Sequence, residues 1–202
     1  MHMEDDQTKP YHHGDLRRTL LDTASQMLRQ EQNWQFTLRE VARRAGVSHA
    51  APYKHFADKQ ALLDELALQG FEHLGRELRA AQASSHRGIK ALFTAAARAY
   101  IAFAQANQAQ YRLMFSSAST TTPSLHLNER AMATLSVLLE VIQRGQQEGI
   151  FKKRPIKHQA AACWAQVHGL AMLQIDGLLV PQKVGEDPVT GALTTLLDGL
   201  LS

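Results

Sequence analysis

The chain has 202 residues, 45% hydrophobic and 20% charged, with a net charge of +3. This is ordinary globular composition, with room for one large or two small domains. Its single cysteine, Cys163, excludes an internal disulfide and suits a reducing cytoplasm; there is no apolar N-terminal run for a secretory signal and no stretch approaching the roughly 20 apolar residues of a membrane span.

Aromatic residues are few, at 6%. Ala and Leu abound, while strand-like runs of Val, Ile and Thr are nearly absent. The expected fold is all-α. Residues Met1 to His13 are polar and without periodicity, a flexible arm whose Glu4, Asp5 and Asp6 are acidic and whose Lys9, His12 and His13 are candidate DNA-backbone contacts. The first helix is expected from near Asp15 to before Asn33. Leu16, Leu20, Ala24, Met27 and Leu28 form its apolar stripe, with Arg17 and Arg18 on the other face. Trp34 and Phe36 are expected to plug a small core.

Phe36 to Phe56, FTLREVARRAGVSHAAPYKHF, is the most informative stretch. Thr37 with Glu40 forms a capping box. Leu38, Val41, Ala42 and Ala45 recur at helical spacing. Gly46 supplies a turn free of Cβ strain, and Ser48 is a second N-cap that opens a new helix. Two helices joined by so short a turn cross steeply, which is the helix-turn-helix geometry. Arg39, Arg43, Arg44, Lys54 and Lys59 surround the segment, against Glu40 and Asp58. Ser48, His49 and Ala50 fall at the start of the second helix, where side chains reach base edges. Tyr53 can donate a hydrogen bond to a phosphate.

The segment resembles the DNA-binding motif of the TetR/AcrR family of transcriptional regulators. The match runs through Thr37, Glu40, Ala42, Ala45-Gly46-Val47-Ser48, Tyr53, His55-Phe56, Lys59 and Leu62-Leu63. Position 52, usually a large aliphatic, is Pro52 here. It removes the amide that would bond to the Ser48 carbonyl, and the first turn is expected to bend or tighten. The resemblance implies DNA contacts from Thr37, Arg39, Ser48, His49, Ala50, Tyr53, Lys54, His55 and Lys59. Thr37, Tyr53, His55 and Lys59 would hold phosphates, and Ser48, His49 and Ala50 would face the bases.

A long fourth helix is expected from Asp58-Lys59 to about Ala83, with Leu62, Leu63, Leu66, Gly70, Phe71, Leu74 and Leu78 on its apolar face. Ser84-Ser85-His86 marks a domain junction. The expected division is a helix-turn-helix domain at 14–74 and a larger domain at 84–202. Beyond the junction come a helix through Ile89, Phe93, Tyr100 and Phe103, a short helix at Gln110 to Phe115, and a Ser/Thr loop at Ser116 to Ser124. A long helix through Met132 and Ile142 ends at Gly149, followed by a solvated basic turn, Lys152-Lys153-Arg154. A further helix is expected from Ile156 to about Leu179. Asp187-Pro188 then starts the last one. The run WAQVHGLAML, with Trp164, His168 and Gly169, resembles a motif of the C-terminal domains of one TetR subgroup.

No HExxH, CxxC, GxSxG or phosphate loop is present, so no catalytic, metal or cofactor site is expected. His168 reads as a hydrogen-bonded core or interface histidine. Phe93, Tyr100, Phe103, Met114, Phe115, Met132, Leu135, Trp164, His168 and Met172 are each plausible plain core. Together they offer the apolar walls and few polar groups of a small-molecule pocket, which the resemblance also implies. It further implies a homodimer formed through the last two long helices, 156–179 and 188–201, a palindromic operator, and a small-molecule effector switching a repressor. The rival readings are a DNA-binding protein with no ligand, and an all-α enzyme or carrier.

Overall fold

The computed structural model describes residues 13–84, 88–116 and 124–202. Lys9 and His12, the side chain of His13, and residues 85–87 and 117–123 lie outside them. Among the described residues the regular structure is helical, with one isolated bridge between Phe151 and Leu201. The chain divides into two units, one up to Leu66 and one from Ala67.

The first unit holds α1 (His13–Glu31), α2 (Leu38–Arg44), a short 3-10 turn (Pro52–Lys54) and the opening turns of α3 (Lys59–Ala83). The stripe of Leu16, Leu20, Ala24, Met27 and Leu28 is buried along its whole length. α1 packs on α2, and Phe36, Leu38, Val41, Phe56, Leu62 and Leu66 are buried in the same unit. Trp34 is only partly buried, so Phe36 supplies the aromatic plug without it. Arg17 reaches Glu65 at 3.0 Å, tying α1 to α3.

The second unit holds the rest of α3, then α4 (Ile89–Ala106), α5 (Gln108–Phe115), α6 (Glu129–Gln147), α7 (Ile156–Ile175), the single turn α8 (Pro181–Val184) and α9 (Pro188–Leu200). α4 packs on α6, α7 and α9. Local signals set the helix starts. The Asn128 side chain accepts from Arg130 N at 3.0 Å, and the Asp187 side chain accepts from Thr190 N at 3.2 Å with Pro188 at the first helical position.

α7 stops at Ile175, short of the expected Leu179. Gly177 adopts φ 68°, Leu178 N donates to Leu173 O at 2.8 Å and Gly177 N to Gln174 O at 3.1 Å. That is a Schellman stop, which a left-handed glycine permits without strain. Two glycines serve close packing. A Cβ on Gly70 would meet Met114 Sδ at 2.6 Å, and one on Gly145 would meet Phe151 Cδ2 at 2.2 Å.

Candidate nucleic-acid interface and apolar cavity

The capping box that opens α2 is complete. Glu40 N donates to Thr37 Oγ1 at 3.2 Å, and Thr37 N donates to Glu40 Oε2 at 2.6 Å. Thr37 Oγ1 also donates to Glu40 Oε2 at 2.9 Å. These bonds, to the Thr37 backbone first and its hydroxyl second, hold the Glu40 carboxyl below the usual range. α2 ends in a second Schellman stop. Gly46 takes φ 70°, Val47 N donates to Ala42 O at 3.0 Å and Gly46 N to Arg43 O at 3.3 Å.

The expected α-helix opening at Ser48 does not form. Ala51 N donates to Ser48 O at 2.9 Å, and Pro52 to Lys54 make one 3-10 turn closed by His55 N to Pro52 O at 2.9 Å. The cause lies in position 52. An α-helical bond to Ser48 O would come from the amide of residue 52, which proline lacks. The tighter bond from Ala51 takes its place, so the first turn is tightened as the sequence suggested, and the tightening continues to His55.

Ser48, His49 and Ala50 are exposed on this turn, as are Tyr53 and Lys54. Arg39 and Arg43 are exposed with no ion pair among the described residues. Arg44 is engaged, with Nη2 2.6 Å from Glu31 Oε1. Lys59 heads α3, half-buried, with Nζ 5.8 Å from the Phe36 ring centroid. Asp58 caps the same helix by accepting from Ala61 N at 2.8 Å. His55 is half-buried, and its Nε2 is buried without a hydrogen-bond partner among the described residues.

The second unit holds an apolar, partly open cavity of about 290 Å³, with the exposed Leu127, Met132 and Trp164 in its wall. α3 contributes Phe71, Leu74 and Leu78; α4 contributes Phe93, Ala96, Ala97 and Tyr100; α7 contributes Cys163, Trp164 and Val167. Phe115, His126, Leu127 and an α6 face from Ala131 to Val141 complete the wall. Burial pushes the Cys163 thiol up to about 11 and lowers the His126 pKa, so both stay uncharged at neutral pH. At one side a polar chain runs into the protein. Trp164 Nε1 lies 3.3 Å from Tyr100 Oη, Tyr100 Oη 3.0 Å from Tyr111 Oη, and Tyr111 Oη 2.6 Å from His168 Nδ1. Burial pushes Tyr100 up to about 12, raises Tyr111 further and lowers His168.

Residues 20–66 match the family model of bacterial regulatory proteins, tetR family. Residues 93–200 match that of the tetracyclin repressor-like C-terminal domain. The chain belongs to the TetR family. TetR family regulators are non-enzymatic DNA-binding transcription factors, and the helix-turn-helix segment lies within the matched N-terminal region. A solved protein of unknown function from Rhodococcus sp. RHA1 is 36% identical, with a TM-score of 0.81 over 96% of this chain and 100% of that one. A tetR family transcription regulator from Shewanella sp. PV-4 is 21% identical, with a TM-score of 0.69 over 93% of this chain and 98% of its own. The fatty acid degradation regulator FadR of Bacillus halodurans is 15% identical, with a TM-score of 0.68 over 94% and 97%. Those two share the fold. Among curated proteins none matches.

Of the expected pocket residues in this TetR family member, Phe93, Tyr100, Phe115, Met132, Leu135 and Trp164 line the cavity. Phe103, Met114, His168 and Met172 do not. Phe103 packs edge-on against His73, Met114 is fully buried against Gly70, and His168 stands behind Tyr111. Sequence reasoning missed the α3 wall, because Phe71, Leu74 and Leu78 read as the core stripe of a linking helix. Their 3.6-residue repeat carries no mark that separates a cavity wall from plain core.

Proposed function

We propose that this TetR family chain is a homodimeric repressor that binds a palindromic operator in the cytoplasm and responds to a small molecule held in the apolar cavity. The reading assigns DNA binding to 14–74 and dimerisation to 84–202, with the ligand site formed by 84–202 together with Phe71, Leu74 and Leu78 of α3. The carrying observation is the exposed turn Ser48-His49-Ala50, set between the capped α2 and the Lys59 end of α3 in a chain of this family. On this reading Ser48, His49 and Ala50 face the bases, while Arg39, Tyr53, Lys54 and Lys59 hold phosphates. Thr37 touches a phosphate only by releasing Glu40, since its hydroxyl is already bonded there. The buried Nε2 of His55 argues against a phosphate role in the unbound conformation.

Dimerisation is supported by α7, whose apolar residues are not confined to one face and which leaves Trp164 41% and Leu173 39% exposed. Apolar side chains left on a second face favour cover by a partner. Response to a ligand is supported by the cavity. α3 is continuous from Lys59 to Ala83 and contributes Phe71, Leu74 and Leu78 to the wall, so it is the candidate lever. Coupling of about 1–3 kcal/mol between ligand and DNA would be typical.

The test is DNA binding to the region upstream of the chain's own gene, at low and high salt, by wild type and Lys59→Ala. The expected result is weaker binding and a salt slope reduced by about one. Unchanged affinity and slope in Lys59→Ala would remove Lys59 from the interface.

A further inference from the structure

The arginines of the first unit fall into two groups. Arg17 reaches Glu65 at 3.0 Å, Arg18 reaches Asp22 at 3.7 Å, and Arg29 donates to Ser25 Oγ at 2.8 Å. Arg44 spans from α2 to the end of α1, with Nη2 2.6 Å from Glu31 Oε1 and Nη1 3.3 Å from Gln30 Oε1. Arg39 and Arg43 are exposed, and among the described residues their side chains have neither an ion pair nor a hydrogen bond.

The two lie four residues apart on α2. At 3.6 residues per turn, Arg43 stands about 40° around the helix from Arg39 and about 6 Å further along it. Both fall outside the buried side formed by Leu38, Val41 and Ala42. Arg44, one residue on, is turned toward α1 instead. In a helix-turn-helix the first helix crosses the DNA backbone while the second enters the groove, and α2 is that first helix. Glu40 shares the exposed side, and its capping-box bonds favour the ionised carboxylate, which repels phosphate. An unpaired cation one turn along offsets that charge where the backbone would approach. A guanidinium suits the task, since its fork of donors matches two phosphate oxygens.

Resting on the reading of Ser48-His49-Ala50 as the base-facing turn, we propose that Arg43 is a DNA-phosphate contact beside Arg39, while its neighbour Arg44 braces α2 against α1 and touches no DNA.

Phosphate contacts carry no sequence information, so the test needs no operator. Binding to a fluorescently labelled duplex of mixed sequence is followed by anisotropy from low to high salt. Arg43→Ala is expected to lower the slope of log K against log salt by about one, and to bind about tenfold more weakly at about 0.1 M salt. Arg43→Gln, with a longer uncharged side chain, should do the same. Arg43→Lys keeps the charge and should keep the slope. Arg44→Ala removes an equal charge one residue away and should leave the slope as in wild type, which separates a contact from a loss of net charge. A slope unchanged in both Arg43→Ala and Arg43→Gln, an equal fall in Arg44→Ala, or a full fall in Arg43→Lys would each overturn the proposal. Lys59→Ala reports on the reading beneath it: if its slope falls while that of Arg43→Ala does not, the DNA-binding face stands without Arg43. Absence of salt-dependent binding by the wild type would remove both.

Discussion

Tyr111 and His168 are joined through a phenol oxygen and Nδ1 2.6 Å apart, and burial lowers the His168 pKa below its ordinary 6.5. His126 is lowered for the same reason. The sign of the pH effect follows. In the unfolded chain both rings take up a proton near 6.5, while the folded chain resists until lower pH. The stability gained by keeping them neutral is complete above about 6.5 and is lost as pH falls toward the folded values. Urea-unfolding midpoints should therefore drop from about pH 6.5 to pH 5, above most carboxylate titration, and drop less steeply in His168→Gln. A midpoint flat across that interval would contradict the buried neutral imidazoles.

Gly145 and Phe151 form a close contact at the end of α6. Phe151 is 1% exposed, and a Cβ on Gly145 would sit 2.2 Å from its ring. Gly145→Ala gains about 1 kcal/mol of helix propensity, yet overpacking costs about 1–3 kcal/mol, so a net loss or at best no gain is expected. Thermal unfolding of Gly145→Ala, Phe151→Leu and the double variant measures it. The two changes should be non-additive, with the double variant less destabilised than the sum.

Pro52 sets the shape of the turn that carries Ser48, His49 and Ala50. Pro52→Leu restores the amide that an α-helical bond to Ser48 O needs. The expected outcome is a longer helical segment by amide exchange and a changed base preference, with the salt slope of DNA binding unaltered because the basic residues remain. Identical exchange protection around residues 48–56 would show that proline is not what tightens the turn.

The helical class, the capping box, the Gly46 turn and the extent of α3 were legible because each depends on local chemistry. Thr37 and Glu40 are three residues apart, and Gly46 needs only its own φ. Pro52 gave warning of a tightened turn, but the loss of a regular second helix also depended on which carbonyl the neighbouring amides chose. The stop of α7 at Gly177 was missed because Leu178 and Leu179 continue the apolar pattern past it. The cavity was half legible. Tyr100 and Trp164 were expected in its wall, but that His168 lies behind Tyr111 depends on tertiary packing between α5 and α7, which no sequence spacing encodes.

On the proposed reading, this TetR family member reads DNA as a symmetric pair of helix-turn-helix units. Selection of bound duplexes from a random-sequence library tests it most directly, because it presupposes neither the operator nor the regulated gene. The account predicts enrichment of an inverted repeat with half-site centres about 34–36 Å apart, one turn of B-DNA, or a multiple of that spacing. Enrichment of a single asymmetric site, or no enrichment at all, would contradict it.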